Sequence, residues 1–175
     1  MEETTATAEQ QFLDETGDGA DAQADKYMLF KIADEVYGIG IKSITEIIEL
    51  QKITHVPDMP DYIKGVINLR GKVIPVMDIR LRFGMPERDY DDRTCIIIVN
   101  INDTSIGFLV DTVAEVHDIP EKNIEPAPDF KDNQARNNYI AGLGKVGEEV
   151  KILLDAEKML YSHELEQIKR AAGKN

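Results

Sequence analysis

From Tyr27 onward, the chain alternates between short apolar runs and clusters of turn residues. Three pairs of runs, rich in Val and Ile, stand either side of the turn segments 33–35, 102–104 and 147–148. This alternation is typical of β-hairpins. A fourth pair, "VINL" and "KVIPVMDI", reads as two buried strands parted by an arginine-bearing turn, Asn68-Leu69-Arg70-Gly71. The pattern therefore predicts a series of short strands and no long helix between them.

The segment "KSITEIIEL" fits two structures. Ile44, Ile47 and Ile48 follow the helical period, whereas their β-branched side chains favour a strand. The final residues give the only convincing helical signal, with Asp155 as a cap and Met159 and Leu160 pointing inward. Ser162 is the expected cap of a second short helix that carries Leu165 and Ile168. Roughly ten closely spaced strands without crossover helices predict a mainly β fold of small closed barrels.

Composition divides the chain into unequal parts. Residues 1–25 carry eight acids and neither Lys nor Arg, which predicts a disordered acidic tail. Residues 26–160 form the predicted body of two lobes, with the polar stretch 81–93 as the expected connection between them. Residues 155–170 are the predicted C-terminal helical segment.

Charge and targeting signals exclude several classes of function. The net charge of −13 argues against nucleic acid as a partner. No apolar stretch approaches the length of a membrane span, and no signal peptide is recognisable, so we expect a cytoplasmic protein without direct membrane insertion. The single cysteine, Cys95, lies in the apolar run "TCIIIVN" and has no disulfide partner in the chain.

Two motifs resemble ligand sites. "GLGKVG", from Gly142 to Gly147, matches the dinucleotide fingerprint letter by letter, but the strand-like "EEVKILL" follows where a helix is required. A tight hairpin with a bulge accounts for these glycines better than a nucleotide-binding enzyme, which stays as the alternative. The tail segment 14–25 resembles a calcium loop but ends on Asp25 rather than the expected Glu. The histidines show no metal spacing, and no catalytic set is recognisable, so we predict no enzyme activity, cofactor or metal.

Arg70 has two interpretations. It is either a solvated surface turn residue, as most lone charges are, or an anchored guanidinium whose donors bind a carboxylate. Glu46, on the ambiguous segment, is the plausible partner. Such a pair would hold two segments in register at the rim of an apolar groove.

Four stretches resemble the CheW family, and they occur in the order found there: "YGIGIKSITEI", "YIKGVINLRGKVIPVMDIR", "IGFLVDTVAEV" and "YIAGLG…VKILLD". The resemblance covers residues 26–160. It implies two five-stranded SH3-like β-barrels packed together. It also implies a non-catalytic adaptor that couples the cytoplasmic tips of methyl-accepting chemotaxis receptors to the regulatory domain of the histidine kinase CheA. The adaptor would associate with receptor arrays at the inner face of the membrane through these partners.

The resemblance also assigns surfaces. The receptor helix would lie in the groove between the barrels, on Ile44, Glu46, Ile47, Gly65, Arg70 and Val110. The kinase would bind strand ends and loops, at Leu109, Asp111, Val113, Gly142, Leu143 and Gly144. "IGIKSI" departs from the commoner family wording at Gly40 and Lys42.

Overall fold

The computed structural model describes residues 24–127, 139–160, 168 and 170. Within these residues, eleven strands form a five-stranded and a six-stranded sheet. The mainly β fold predicted from the sequence is confirmed. The predicted acidic tail and the calcium-like loop lie outside the described residues, apart from positions 24 and 25.

The five-stranded sheet has the order β3-β6-β7-β5-β4. Its strands are β3 (Ile44–Glu49), β4 (Ile63–Leu69), β5 (Lys72–Asp78), β6 (Cys95–Ile101) and β7 (Thr104–Val110). Neighbours run antiparallel except β5 and β7, which are parallel. The two edge strands approach each other where Thr54, just beyond β3, exchanges two backbone hydrogen bonds of 2.8 and 2.9 Å with Val66 of β4. This bridge draws the sheet toward a closed barrel.

The six-stranded sheet has the order β8-β1-β2-β11-β10-β9. Its strands are β1 (Lys26–Ile32), β2 (Glu35–Gly40), β8 (Thr112–Asp118), β9 (Ile124–Glu125), β10 (Ile140–Val146) and β11 (Glu149–Leu154). The expectation of five strands in this sheet missed β9, which pairs with β10 over only two residues. A strand this short leaves no alternation in the sequence.

Strand β6 joins the two hydrophobic cores because both of its faces are buried. Ile97 and Val99 pack with Phe30 of the other sheet in a core shared by both sheets. Ile96 and Ile98 face the interior of the five-stranded sheet. Each fully buried side chain of this size stabilises the fold by roughly 1.5–3 kcal/mol. Consecutive residues of β6 are isoleucines because each face of the strand packs against one of the two hydrophobic cores.

The polar stretch 81–93 does not connect the two sheets. It begins in the second half of the short helix α1 (Ile79–Arg82), whose first turn Asp78 caps by accepting from the Leu81 N–H at 3.3 Å. It then leads from β5 to β6, which belong to the same sheet. The chain instead passes between the sheets at the 3₁₀ turn Ile41–Ser43 and at Asp111. Polar composition predicted a connection correctly but could not show which strands it joins.

At the C-terminal end, Asp155 caps a 3₁₀ turn, Ala156–Met159, by accepting from the Glu157 N–H at 3.0 Å. Met159 and Leu160 are buried in the shared core, as predicted. Ile168 is helical and fully buried there. The predicted second cap, Ser162, and Leu165 lie outside the described residues.

Candidate docking surface on strand β3

Arg70 occupies a strained two-residue turn between β4 and β5. Leu69 pairs with Lys72, and Arg70 and Gly71 between them have positive φ angles of 53° and 87°. Two consecutive positive φ values are the mark of a type I′ hairpin turn. Asn68 supports the turn, because its side-chain oxygen accepts from the Gly71 N–H at 2.8 Å. A non-glycine residue in this conformation lowers the stability of the fold by on the order of 1 kcal/mol. Its presence here therefore suggests a role other than folding.

The Arg70 side chain pairs with Glu46, as the sequence predicted. Its Nη2 donates to Glu46 Oε2 at 2.5 Å. The Arg70 side chain is 69% exposed and that of Glu46 31% exposed. The pair links the edge strand β3 to the β4–β5 turn. Exposed ion pairs contribute about 1 kcal/mol or less to stability. A contribution to folding therefore does not by itself explain the Glu46–Arg70 pair.

A β-bulge in β3, the strand that carries Glu46, places two apolar side chains on one face of that strand. Ile44 pairs with Val99 and Glu46 with the adjacent Ile98, so β3 has one extra residue between them. The bulge puts Ile44 and Ile47 on one face, where both pack half-buried against the shared core. Their helix-like spacing in the sequence arises from this bulge. We name Ile44, Glu46, Ile47 and Arg70 the β3 surface.

Gly65 and Val110, the other two predicted receptor residues, have structural roles. Gly65 has a φ of +147°, and a Cβ there would lie 2.0 Å from the Thr54 carbonyl oxygen. Only glycine lets Thr54 cross over β4 at the barrel seam. Val110 is 2% exposed within the shared core, so its side chain presents no contact surface. Val113 of β8, three residues later in the chain, is only partly buried against the same core, so its side chain is accessible where that of Val110 is not.

Half of the six predicted kinase-binding residues are buried. Leu109 is 2% exposed inside the five-stranded sheet. Gly142 and Gly144 are buried, and a Cβ on Gly142 would lie 2.7 Å from Ile124 of β9. Asp111 is bound by the Ala33 N–H and by Arg80 of the same chain. Leu143 and Val113 retain exposed surface.

The glycine-rich motif "GLGKVG" forms a β-hairpin. Its first residues lie in β10, where the pairing with β11 shifts between Ile140 and Gly142. Gly147 makes the turn with a φ of +62°. Strand β11 follows, so the helix N-terminus required to bind a dinucleotide phosphate is missing at this site. The predicted hairpin with a bulge is confirmed.

Sequence reasoning missed an apolar cleft of about 330 Å³, whose walls come from widely separated segments. Its lining residues are Tyr37, Phe83, Met85, Tyr139, Ile140, Ile152 and Leu154. The Phe83 ring lies 5.1 Å from that of Tyr37 and 5.3 Å from that of Tyr139. Burial, and then the charge of Glu35, raise the pKa of Tyr37. The scattered aromatic residues were the available signal, but only folding brings them together.

Neither a metal-binding cluster nor a membrane-spanning helix occurs among the described residues. No group of three or more His, Cys, Asp or Glu side chains in this part of the chain could hold a metal ion. Among the helices described, none is long and apolar enough to cross a membrane.

Comparison with known proteins gives one consistent family. The family described as the CheW-like domain matches residues 26–164. The chain is 37% identical over 147 residues to the chemotaxis protein CheW of Klebsiella aerogenes, covering 84% of this chain and 88% of the relative. It is 36% identical over 136 residues to CheW of Helicobacter pylori, covering 77% and 81%. The crystal structure of the scaffolding protein TtCheW from Thermoanaerobacter tengcongensis is similar, with a TM-score of 0.72, 35% identity, and coverage of 80% of this chain and 94% of that one.

Proposed function

The chain belongs to the CheW family, and from this premise we propose that it is a non-catalytic adaptor coupling the cytoplasmic tips of chemoreceptors to the regulatory domain of the histidine kinase CheA. It would act at the inner face of the membrane, held there by its partners. The relatives are chemotaxis proteins, and the similar solved structure is a scaffolding protein. A scaffold needs surfaces for two partners and no reacting groups.

The observation that carries the proposal is the Glu46–Arg70 pair on the same edge strand as Ile44 and Ile47. A strained arginine turn, a weakly stabilising ion pair and two partly buried isoleucines together suit recognition better than folding. An amphipathic helix bound here would bury its apolar residues on the isoleucines. The exposed charges would fix its register, because electrostatic complementarity contributes mainly to specificity. We therefore assign the β3 surface to the receptor tip.

The kinase surface is proposed at a different place. Among the residues expected to bind CheA, Leu143 of β10 and Val113 of β8 keep exposed area. Val113 packs against the same shared core as Ile44 and Ile47, so we assign it to the receptor groove and place the kinase surface at Leu143. Leu143 lies in the six-stranded sheet, whereas the β3 surface lies in the five-stranded sheet, so two partners could be held at once at separate places.

A titration of the isotopically labelled full-length chain tests this assignment. CheA regulatory domain is added first and a receptor tip fragment second, and the shifted amide resonances are mapped. We expect two separate sets, one around Leu143, the other around Glu46 and Arg70. If neither partner moves any resonance, the family would account for the fold alone, and the adaptor proposal would be rejected.

Arg70→Ala is expected to weaken receptor-fragment binding about tenfold, a loss typical of an interface arginine that contributes strongly. The free energy of unfolding should change by less than about 1 kcal/mol, because the pair is exposed. Affinity is measured by calorimetry and stability by urea unfolding.

Lys145→Ala is the matched control. The Lys145–Glu125 pair has the same 2.5 Å separation and is 56% and 59% exposed, but it lies in the six-stranded sheet. Its removal should leave receptor affinity unchanged. Equal affinity of Arg70→Ala and the unmodified protein would remove the β3 surface from the receptor site.

A further inference from the structure

Asp111 lies at a point where the chain crosses from one sheet to the other. It is the one residue between β7 of the five-stranded sheet and β8 of the six-stranded sheet. A residue in this position can reach groups that belong to both sheets. Its contacts show that it does.

From the six-stranded sheet, Asp111 is held by the β1–β2 hairpin. The Ala33 N–H, in the turn, donates to Asp111 Oδ2 at 2.7 Å. The Asp111 N–H donates in turn to the Lys31 carbonyl at 3.1 Å. Ala33 has a positive φ of 55°, so this hydrogen bond holds a turn residue in the left-handed conformation.

From the five-stranded sheet, Asp111 is held by arginine. Arg80 of α1 donates through Nε to Oδ1 at 2.9 Å and through Nη2 to Oδ2 at 2.5 Å. This two-point contact fixes the orientation of both groups, which a single-point contact does not. Arg88 adds a longer bond from Nη1 to Oδ2 at 3.3 Å. The Asp111 carboxylate thus binds groups of both sheets simultaneously.

Burial distinguishes this contact from the other ion pairs. The Arg80 and Asp111 side chains are 14% and 16% exposed. Every other Lys or Arg pair between described residues has at least one side chain that is 50% exposed or more. Salt and water therefore screen the Arg80–Asp111 pair least.

We propose that Asp111, Arg80 and the Ala33 N–H form an inter-sheet clasp, a set of positioning groups that fixes how the two sheets are oriented. Its consequence for binding rests on the proposed function. Ile44 and Ile47 lie on one sheet, and Val113 lies on the other, two residues beyond Asp111. A rigid helix that contacted both would require a fixed spacing between them. Without the clasp, the sheets would sample a range of spacings, and most would not fit the helix.

The orientation of the sheets can be measured without any partner. Spin labels are attached to cysteines at Val73 of β5 and Val150 of β11, which are 42% and 53% exposed, after Cys95→Ala removes the native thiol. Electron paramagnetic resonance then gives the distribution of distances between the labels. We expect one narrow distribution in this parent, and a clearly broader or displaced one when Asp111→Asn is added. Asp118→Asn is the matched control, because it removes an exposed carboxylate, 68% exposed, from β8.

Receptor-fragment affinity provides the second readout, with all variants first shown to be folded by their circular dichroism. Asp111→Asn should bind about tenfold more weakly, although Asp111 touches no receptor in this proposal. Arg80→Gln should weaken binding similarly, and the double variant no further, because both remove one interaction. If Asp111→Asn and Arg80→Gln unfold the protein, the milder Arg88→Gln takes their place. It removes the longest contact to Asp111, together with the exposed bond to Asp91, and should broaden the distances slightly.

The outcomes separate this inference from the proposed function. An unchanged distance distribution in Asp111→Asn and Arg88→Gln overturns the clasp, whatever the binding data show. A broadened distribution with unchanged receptor affinity limits the clasp to orienting the sheets and overturns its positioning role. Failure of the unmodified protein to bind any receptor fragment overturns the proposed function, while the distances still decide the clasp.

Discussion

Gly65→Ala is expected to lower the free energy of unfolding by roughly 3–5 kcal/mol, the range of severe single substitutions. The added Cβ would lie 2.0 Å from the Thr54 carbonyl oxygen and 2.7 Å from its carbonyl carbon. These are backbone atoms, which no side-chain rotation can move away. The φ of +147° adds strain for any residue other than glycine.

Relief of this clash would open the seam between Thr54 and Val66, where the five-stranded sheet closes. Urea unfolding followed by circular dichroism measures the loss. Gly40→Ala is the control, since Gly40 has a φ of −57° and a Cβ there would meet nothing within 4 Å. We expect it to change stability by less than about 0.5 kcal/mol. Equal stability of the two variants would contradict the tight crossing at Gly65.

The strands were predictable because their signals are local. The β1–β2 hairpin and the β10–β11 hairpin each follow from apolar runs beside a turn. The segment at Ile44 was ambiguous because a bulge gives a strand the spacing of a helix. Strand β9 was missed because two residues are too few to show an alternation of apolar and polar side chains. It lies close to β10 because Gly142 has no Cβ to contact Ile124 and Glu125.

The site was predictable only in part. Opposite charges on two apolar segments were enough to predict the Glu46–Arg70 pair. Leu109 and Val110 were wrongly predicted to contact partners because β7 is buried on both faces. An apolar run does not reveal which of its residues are accessible. The clasp could not be predicted from the sequence, since Arg80 and Ala33 are separated from Asp111 by 31 and 78 residues along the chain. Contacts over such distances follow from topology, which local patterns do not specify.

Asp111→Asn is expected to cost roughly 3 kcal/mol of stability near pH 7, the range for breaking one side of a buried ion pair. Arg80 would keep its charge in a site that is only 14% exposed, with a neutral amide in place of its carboxylate. Burial opposes the ionisation of Asp111, but the hydrogen bonds from Arg80 and the Ala33 N–H outweigh it and hold its pKa below the ordinary value. The hydrogen bond to Asp111 correspondingly raises the pKa of Arg80.

This direction of shift determines the pH dependence. Because the pKa of Asp111 is lower in the folded protein than in the unfolded chain, its stabilisation is complete above the unfolded value of about 4 and is lost as the pH falls through the folded value. The charged groups that act on Asp111 or Arg80, besides these two on each other, are Arg88, Asp34 and Asp78. They are shared by the unmodified protein and Asp111→Asn, so their own titration largely cancels in the difference between the two stabilities.

Urea unfolding of both proteins between about pH 2 and pH 8 measures that difference. We expect it to stay constant above about pH 5 and to shrink steadily below about pH 4, as the Asp111 carboxylate is protonated and resembles the amide. Asp118→Asn, which removes an exposed partner of Lys26, should show a difference of about 1 kcal/mol or less throughout. A difference that did not shrink in acid would mean that the charge of Asp111 contributes nothing, and that the clasp acts through the shape of the side chain alone.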